Sequence, residues 1–213
     1  TRNLTRVKVM PNNKKYKMYE DKLIIGKMRE DTEEYEEVIF ATRDIKTINL
    51  PSNIKRISPY SFSESSIENI TISSNLEEVC EYSFCNCKNL HHFEIPFDSQ
   101  LKNIENHAFH LSSIESIFIP RYIIHINESC FNECSNLQTV KFHPNSELQT
   151  IDRYAFYKCA IKHISIPFYV TIIEPLCFSE CFELRSVDFQ LDGELSFLRY
   201  DSFSSTAIES ISI

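Results

Sequence analysis

Cysteine is the residue type in this chain with the widest capacity for chemistry, as a nucleophile, a metal ligand or a disulfide partner. Six of the eight cysteines occupy two recurring positions beside a repeated phenylalanine: Cys87, Cys134, Cys159, Cys181, Cys130 and Cys177. The first four follow the phenylalanine by three residues, and the last two directly precede it. Such regular placement favours small, buried hydrophobic side chains. Disulfides between neighbouring units and a zinc site are the alternatives, although Cys85-x-Cys87 lacks the usual ligand spacing and a second pair. We therefore predict no metal site.

The other candidate chemical groups do not form a recognisable catalytic motif. His107-x-x-His110 could place two imidazoles on one helical face, but no glutamate motif accompanies them, which favours a solvated or capping role. No nucleophile elbow, P-loop or dinucleotide fingerprint occurs, and Gly26 and Gly193 are the only glycines. Serine, histidine and aspartate side chains could still converge in three dimensions, but a unique catalytic pocket is unusual in a repeat protein. The sequence predicts no catalytic residues, no cofactor and no enzymatic activity.

The charge distribution excludes one class of partner. The formal net charge is −8. Residues 1–43 carry ten Lys/Arg and eight Asp/Glu, hence +2, so the remainder carries twelve and twenty-two, hence −10. An acidic body repels phosphate backbones, so nucleic acid is not an expected partner. No apolar run approaches the ~18 residues of a membrane-spanning helix, and we predict no transmembrane segment in this chain.

The elements that position these groups are repeats marked by phenylalanine. Seven phenylalanines recur at spacings of 22, 25, 22, 25, 22 and 25 residues: Phe62, Phe84, Phe109, Phe131, Phe156, Phe178 and Phe203. The residue before each one is Ser, Ala or Cys. The repeating unit is therefore a doublet of 47 residues, and the 25-residue spacings differ only by extra residues in one turn. We expect such insertions to leave the stacked elements in register.

Two apolar stripes recur once in each repeat, with the same spacing as the phenylalanines. The first reads apolar-x-x-apolar-x-apolar, as in Ile114/Ile117/Ile119, and the second reads apolar-x-x-apolar, as in Ile123/Ile126. The β-branched first stripe predicts a short strand, the second another extended segment, and the small-Phe pair a tight helical or 3₁₀ turn. The predicted fold is a leucine-rich-repeat solenoid of the α/β horseshoe class, β-dominated, with about seven full repeats of mean length 23.5 and a partial eighth.

The repeat closely resembles that of the BspA-like leucine-rich-repeat family. The resemblance rests on Ile114-x-x-Ile-x-Ile-Pro-x-x-Ile-x-x-Ile-x-x-x-Cys-Phe-x-x-Cys134 and covers residues 45–213. It implies a surface-exposed or secreted protein of bacteria or parasitic protists, linked to adhesion and to host or matrix binding. Repeats specify a scaffold much better than they specify a partner.

The two ends differ from the repeats. Residues 1–43 are predicted to be an N-terminal cap with a β-hairpin, formed by residues 22–28 and 35–40, and residues 44–213 to be the solenoid. The eighth unit has Ile208, Ile211 and Ile213 pointing inward and Ser210 and Ser212 outward. We interpret the chain as truncated at this C-terminal end, with self-association through the open strand as the alternative.

The outward face of the first stripe is the predicted recognition surface, because these side chains form the concave ladder of a horseshoe. Most of them are small and polar, which is also typical of simple solvated β surface. Six depart from that pattern and are the candidate ligand-binding residues: His92, Glu94, Phe118, Lys141, His163 and Asp188. An aromatic residue in a polar ladder is the type that anchors a partner, so Phe118 is the first candidate.

These observations lead to a binding module as the function. We expect a cell-surface or secreted, adhesin-like protein that recognises a protein or a glycan through the concave strand face. The alternative is a cytoplasmic scaffold for protein–protein interaction, which eight cysteines without clear pairing favour. A third interpretation is that the repeats space or present another domain.

Overall fold

The computed structural model describes residues 3–209 and 211 of the 213-residue chain, and shows a β-solenoid. Each coil contributes one longer strand from the first apolar stripe and one two-residue strand from the second. In chain order the strands are β1 (Tyr16–Tyr19), β2 (Leu23–Gly26), β3 (Glu37–Ala41), β4 (Thr47–Asn49), β5 (Arg56–Ile57), β6 (Asn69–Thr71), β7 (Glu78–Val79), β8 (His92–Glu94), β9 (Asn103–Ile104), β10 (Ser116–Ile119), β11 (His125–Ile126), β12 (Thr139–Phe142), β13 (Thr150–Ile151), β14 (His163–Ile166), β15 (Ile172–Ile173), β16 (Ser186–Phe189) and β17 (Phe197–Leu198).

The strands of the first stripe are here called the ladder strands: β4, β6, β8, β10, β12, β14 and β16. They pair in parallel and in register within three blocks, β4–β6–β8, β10–β12 and β14–β16. Their central residues are buried and the flanking residues point outward, as the alternation of a half-buried strand requires. The predicted repeat register is confirmed.

The two-residue strands of the second stripe line another side of the solenoid. They form two parallel rows, β5–β7–β9 and β11–β13–β15–β17. At the N-terminal end, β1 and β2 pair antiparallel, β2 and β3 pair antiparallel, and β3 then pairs in parallel with β5. The three N-terminal strands thus extend this row, with Leu23 and Val38 fully buried against the first coil.

The phenylalanine turns are not helical, so this detail of the sequence prediction is wrong. No helix occurs in the described residues. The reason lies in the backbone: the residues two before and two after each repeat phenylalanine have positive φ, between 54° and 61°. A left-handed residue ends a right-handed helical turn, so two of them confine the phenylalanine to an isolated turn.

Hydrogen bonds between coils stabilise these turns. The backbone N–H of each repeat phenylalanine from Phe62 to Phe178 donates to the carbonyl of the small residue in the next coil, over 2.8–2.9 Å. The N–H two residues later donates to the carbonyl of the residue that follows the next phenylalanine, as in Glu64 to Cys85 at 2.9 Å. The turns therefore form a third ladder of backbone hydrogen bonds along the solenoid, which satisfies donors that a helix would have used internally.

The core is a column of phenylalanine rings. Consecutive rings from Phe62 to Phe203 stack nearly parallel, with centroids 4.9–5.4 Å apart. The six from Phe62 to Phe178 are fully buried, whereas Phe203 in the last coil is partly exposed. The small residue before each ring allows the close approach of successive turns.

The last coil has only one neighbour in the described structure. Strand β17 pairs with β15, and Leu198 is 40% exposed although the equivalent Ile173 is 0% exposed. Ile208 and Ile211 of the eighth unit pack against the core, while Ser210, Ser212 and Ile213 lie outside the described residues.

Candidate binding surface and groove

The six residues selected from the sequence all lie at outward positions on five consecutive ladder strands, β8 to β16. Five of them are exposed: His92, Glu94, Lys141, His163 and Asp188. The structure divides the six into separate groups, because pairing between ladder strands is interrupted after β8 and after β12. Each of these breaks follows a strand that leads into one of the long turns.

Phe118 is not a free aromatic side chain. It is partly buried, packs against the core, and stacks with Phe97 at a centroid distance of 5.9 Å. His143 completes the cluster, 4.6 Å from Phe97 and 6.3 Å from Phe118. Phe97, which is 65% exposed, presents most of the aromatic surface of this cluster to solvent. Phe97 and His143 come from the long turns after β8 and β12.

His163 is the centre of a polar cluster on β14 and β16. Its Nδ1 lies 2.8 Å from the Ser186 hydroxyl, and its Nε2 lies 3.2 Å from the Ser165 hydroxyl and 3.5 Å from an Asp188 carboxylate oxygen. A serine, a histidine and an aspartate in contact are the parts of a nucleophilic triad. Here the three side chains lie side by side on an exposed strand face, and the aspartate distance exceeds that of a hydrogen bond. The arrangement suits recognition of a polar partner better than activation of a nucleophile.

A groove opens where β12 and β14 do not pair. It has a volume of about 1290 Å³ and is lined by outward residues of both strands, by the long turn His143–Glu147, and by Phe168 and Tyr169 after β14. Lys141 and His163 both line it, so the structure brings these two predicted residues together. His92 and Glu94 lie on β8, in a different block of the ladder, and Glu94 accepts a hydrogen bond from Thr71 at 3.0 Å.

The long turns and their neighbours supply candidate binding residues that were not selected from the sequence. Arg121 bonds Glu147 at 2.9 Å across successive turns, and the Nδ1 of His143 accepts the backbone N–H of Asn145 at 3.0 Å. The signal was present in the 25-residue spacings. An insertion in every second turn places extra polar and aromatic residues at regular intervals along one side of the solenoid.

The cysteines form part of the scaffold. All eight are free thiols. The Sγ of Cys87, Cys134, Cys159 and Cys181 each donates to a phenylalanine carbonyl of the preceding coil over 3.0–3.1 Å. Burial raises the pKa of these thiols, that of Cys134 to about 12, so they stay protonated at neutral pH. A protonated, buried thiol is inert as a nucleophile.

One cluster has the composition of a metal site, with ligand atoms of Glu78, Cys80 and Glu105 within 4.8 Å of one another. Its cation, however, is a side chain. Arg56 bonds Glu78 and Glu37, each at 2.6 Å. Burial raises the pKa of the Cys80 thiol well above its usual value, which makes it a poor ligand. The cluster is therefore a structural ion-pair network beside the two-residue strands.

Within residues 3–209 and 211, no helical segment has the length and apolar character needed to cross a membrane. Among curated proteins, no sequence relative matches the chain.

The fold is similar to that of several solved bacterial proteins. The pneumococcal vaccine antigen PcpA has a TM-score of 0.67 at 19% identity, over 82% of this chain and 50% of that one. A leucine-rich cell surface protein from Faecalibacterium prausnitzii gives 0.64 at 20% identity, over 87% and 55%. A leucine-rich repeat protein from Eubacterium ventriosum gives 0.61 at 18%, over 98% and 54%. The chain thus spans about half the length of these proteins.

The sequence profile of the BspA type leucine-rich repeat region matches in six copies, over residues 14–120 and 102–213. The matched residues include the phenylalanine turns, the ladder strands and the short strands described above. The chain belongs to the BspA type leucine-rich repeat family.

Proposed function

We propose that this chain is a non-enzymatic binding module that acts at a cell surface or after secretion. It holds a protein or a glycan against the outward face of the ladder strands, the face that the repeat pattern predicts to be concave. The observation that carries the proposal is this face itself. Five of its six candidate residues project from the ladder strands into solvent, while the interior is closed by the phenylalanine column.

The family supports the assignment to a cell surface. The chain belongs to the BspA type family, and solved structures of similar fold include a vaccine antigen and a cell surface protein.

The polar cluster on β14 and β16 favours binding over catalysis. The Ser186–His163–Asp188 contact lies in the open, where water keeps the dielectric high and weakens the electrostatic stabilisation that catalysis requires. Binding therefore accounts for this surface better than catalysis.

A second candidate is an intracellular scaffold, and the cysteines favour it. Eight free thiols in one domain are typical of a reducing compartment. A thiol count on denatured protein recovered from its native cells separates the two. Eight reactive thiols favour the scaffold, and oxidised cysteines favour the exterior.

The binding proposal is tested by a screen of the purified chain against extracellular-matrix proteins, host cells and a glycan array. Phe97→Ala is the informative variant, because Phe97 is exposed beside the ladder, whereas Phe118 also packs against the core. Phe182→Ala is the matched control, since Phe182 is also 65% exposed but lies neither in the cluster of Phe97, Phe118 and His143 nor among the residues that line the groove.

Loss of a central aromatic contact is expected to weaken binding by about 2 kcal/mol or more. The control should bind like the wild type. Absence of binding across the panel, or equal loss in the two variants, would contradict recognition through this face.

A further inference from the structure

The groove between β12 and β14 lies at one of the two places where the ladder strands do not pair, the other being between β8 and β10. Within the described chain, no strand pairing joins β12 to β14, although each pairs on its other side, with β10 and β16. The facing edges of Thr139–Phe142 and His163–Ile166 therefore have backbone donors and acceptors without a strand partner. Such groups are available to a ligand that enters the groove.

A peptide strand cannot insert between the two edges. Cα atoms of β12 and β14 still come within 8 Å of each other. An inserted strand needs about 4.8 Å on each side, or roughly 9.6 Å in total. The occupant must instead lie along the groove and contact its rim of side chains. The volume of about 1290 Å³ exceeds the ~300–1,000 Å³ of an ordinary small-molecule pocket.

The charge of the groove is opposite to that of the chain. The lining contains Arg121, Lys141 and Lys162 but only one carboxylate, that of Glu147, so its formal charge is +3 − 1 = +2 with histidine neutral. The whole chain carries −8. Among the described residues, Lys141 makes no ion pair, and Lys162 has only a 3.8 Å contact with Glu183. A positively charged cleft on a negatively charged protein concentrates negatively charged ligands.

The remaining lining residues have the chemistry that recognises sugars. Four side-chain amides can both donate to and accept from hydroxyl groups: Gln138, Asn145, Gln149 and Gln190. Phe168 and Tyr169 are 37% and 49% exposed at one wall, where an aromatic face can cover the apolar face of a sugar ring. The acidic side chains of a peptide would pair with the lysine and arginine side chains. They would not account for the combination of side-chain amides and exposed aromatic faces in the same groove.

We propose that this groove binds an acidic glycan, with Lys141 and Lys162 on its carboxylate or sulfate groups and the amides on its hydroxyls. The proposal rests on the proposed binding function and assigns the ligand class of one part of its surface. Charge-assisted hydrogen bonds from lysine are the main source of selectivity over a neutral glycan.

The experiment measures affinity by calorimetry for four probes of similar length. Two are acidic glycans, a heparin hexasaccharide and a hyaluronan hexasaccharide, which separate sulfate from carboxylate recognition. The others are the neutral cellohexaose and a hexaglutamate peptide. The test variant is Lys141→Gln/Lys162→Gln. The control is Lys46→Gln/Lys102→Gln, which removes two exposed lysines from other parts of the surface.

We expect at least one acidic glycan to bind, cellohexaose to bind about tenfold more weakly, and the test variant to lose about tenfold in affinity. The control variant should change affinity by less than about twofold. Equal losses of affinity in the test and control variants would show nonspecific attraction and overturn the proposal. The proposal would also be overturned if hexaglutamate bound more tightly than both acidic glycans.

The two proposals fail differently. If the test variant keeps full binding to a partner that Phe97→Ala loses, the groove assignment is wrong and the binding function stands. If the wild type binds none of the probes and nothing in the broader screen, both are wrong.

Discussion

Phe131→Ala is the substitution that most directly tests the phenylalanine column. Phe131 is fully buried, and its ring lies 5.4 Å from that of Phe109 and 5.3 Å from that of Phe156. Loss of a buried phenylalanine costs about 3–5 kcal/mol through lost transfer energy and a cavity. Each of the two lost stacking contacts adds about 0.5–1.5 kcal/mol, so we expect a loss of about 4–8 kcal/mol in the free energy of unfolding.

Phe203→Ala is the matched control, because it removes the same side chain at the end of the column. Phe203 stacks only on Phe178, at 5.2 Å, and is partly exposed. With one stacking contact and incomplete burial, its loss should be roughly 2–3 kcal/mol. Urea titrations followed by far-ultraviolet circular dichroism give both values.

The difference between the losses in Phe131→Ala and Phe203→Ala tests the column more directly than either loss alone. Single domains are stable by only about 5–15 kcal/mol, so Phe131→Ala should bring the chain close to unfolding at 25 °C. Equal losses in the two variants, or a loss under about 2 kcal/mol for Phe131→Ala, would refute the reasoning that stacking between coils stabilises the solenoid.

Three other predictions concern thiols, charge and association. At pH 8 a thiol reagent should react quickly only with Cys85, the one partly buried cysteine, whereas all eight cysteines should react after denaturation. Burial raises the pKa of every thiol in the folded chain. The urea midpoint should therefore fall as pH rises above ~8.5, because the thiols of the unfolded chain ionise there and those of the folded chain do not. Arg56→Gln should lower unfolding free energy by about 1–3 kcal/mol at pH 7. Although burial raises the pKa of Glu78, Arg56 holds it below its usual value, so the loss should shrink in urea titrations below pH ~4 as the carboxyl is protonated. Leu198→Glu should abolish any concentration-dependent association in analytical ultracentrifugation, whereas Leu191→Glu, in an exposed turn, should not.

The scaffold was predictable because its signals repeat. Large apolar residues return at fixed positions in every unit, and burial of one stripe determines the register of each strand. The pairing of Phe118 with Lys141 and of His163 with Ser186 follows from that register. The recurring positions of the cysteines predicted small, buried side chains, and the contacts of their Sγ atoms with the preceding coil are consistent with that role.

The turn conformation was not predictable from local preference. Tyr60, Leu111 and Leu176 adopt left-handed backbone conformations that bulky residues disfavour. The backbone N–H groups of Tyr60 and Leu111 donate to the next coil, and these hydrogen bonds, which form only in the assembled solenoid, stabilise the two residues. Sequence reasoning therefore assigned a helical turn where the stacked structure requires two left-handed residues.

The groove was missed for a related reason. The inserted residues of the long turns leave the phenylalanine turns bonded in register, but ladder pairing is lost between β8 and β10 and between β12 and β14, so the expected register across the long turns is met only in part. Whether two stacked strands bond or separate depends on several coils together, and no single unit encodes it. Ladder residues such as Lys141 were visible in the sequence, but their surroundings were not.

The interrupted pairing also has a mechanical consequence when the solenoid is pulled from its two ends. Each coil bonds only to its neighbours, so tension along the solenoid must release coils in sequence. The joints after β8 and β12 carry fewer backbone hydrogen bonds in the ladder than those within a block. A coil pulled free adds roughly 23 residues, or about 80 Å of extended chain. Under load the solenoid would thus yield first at these joints and lengthen in steps while the remaining blocks stay folded.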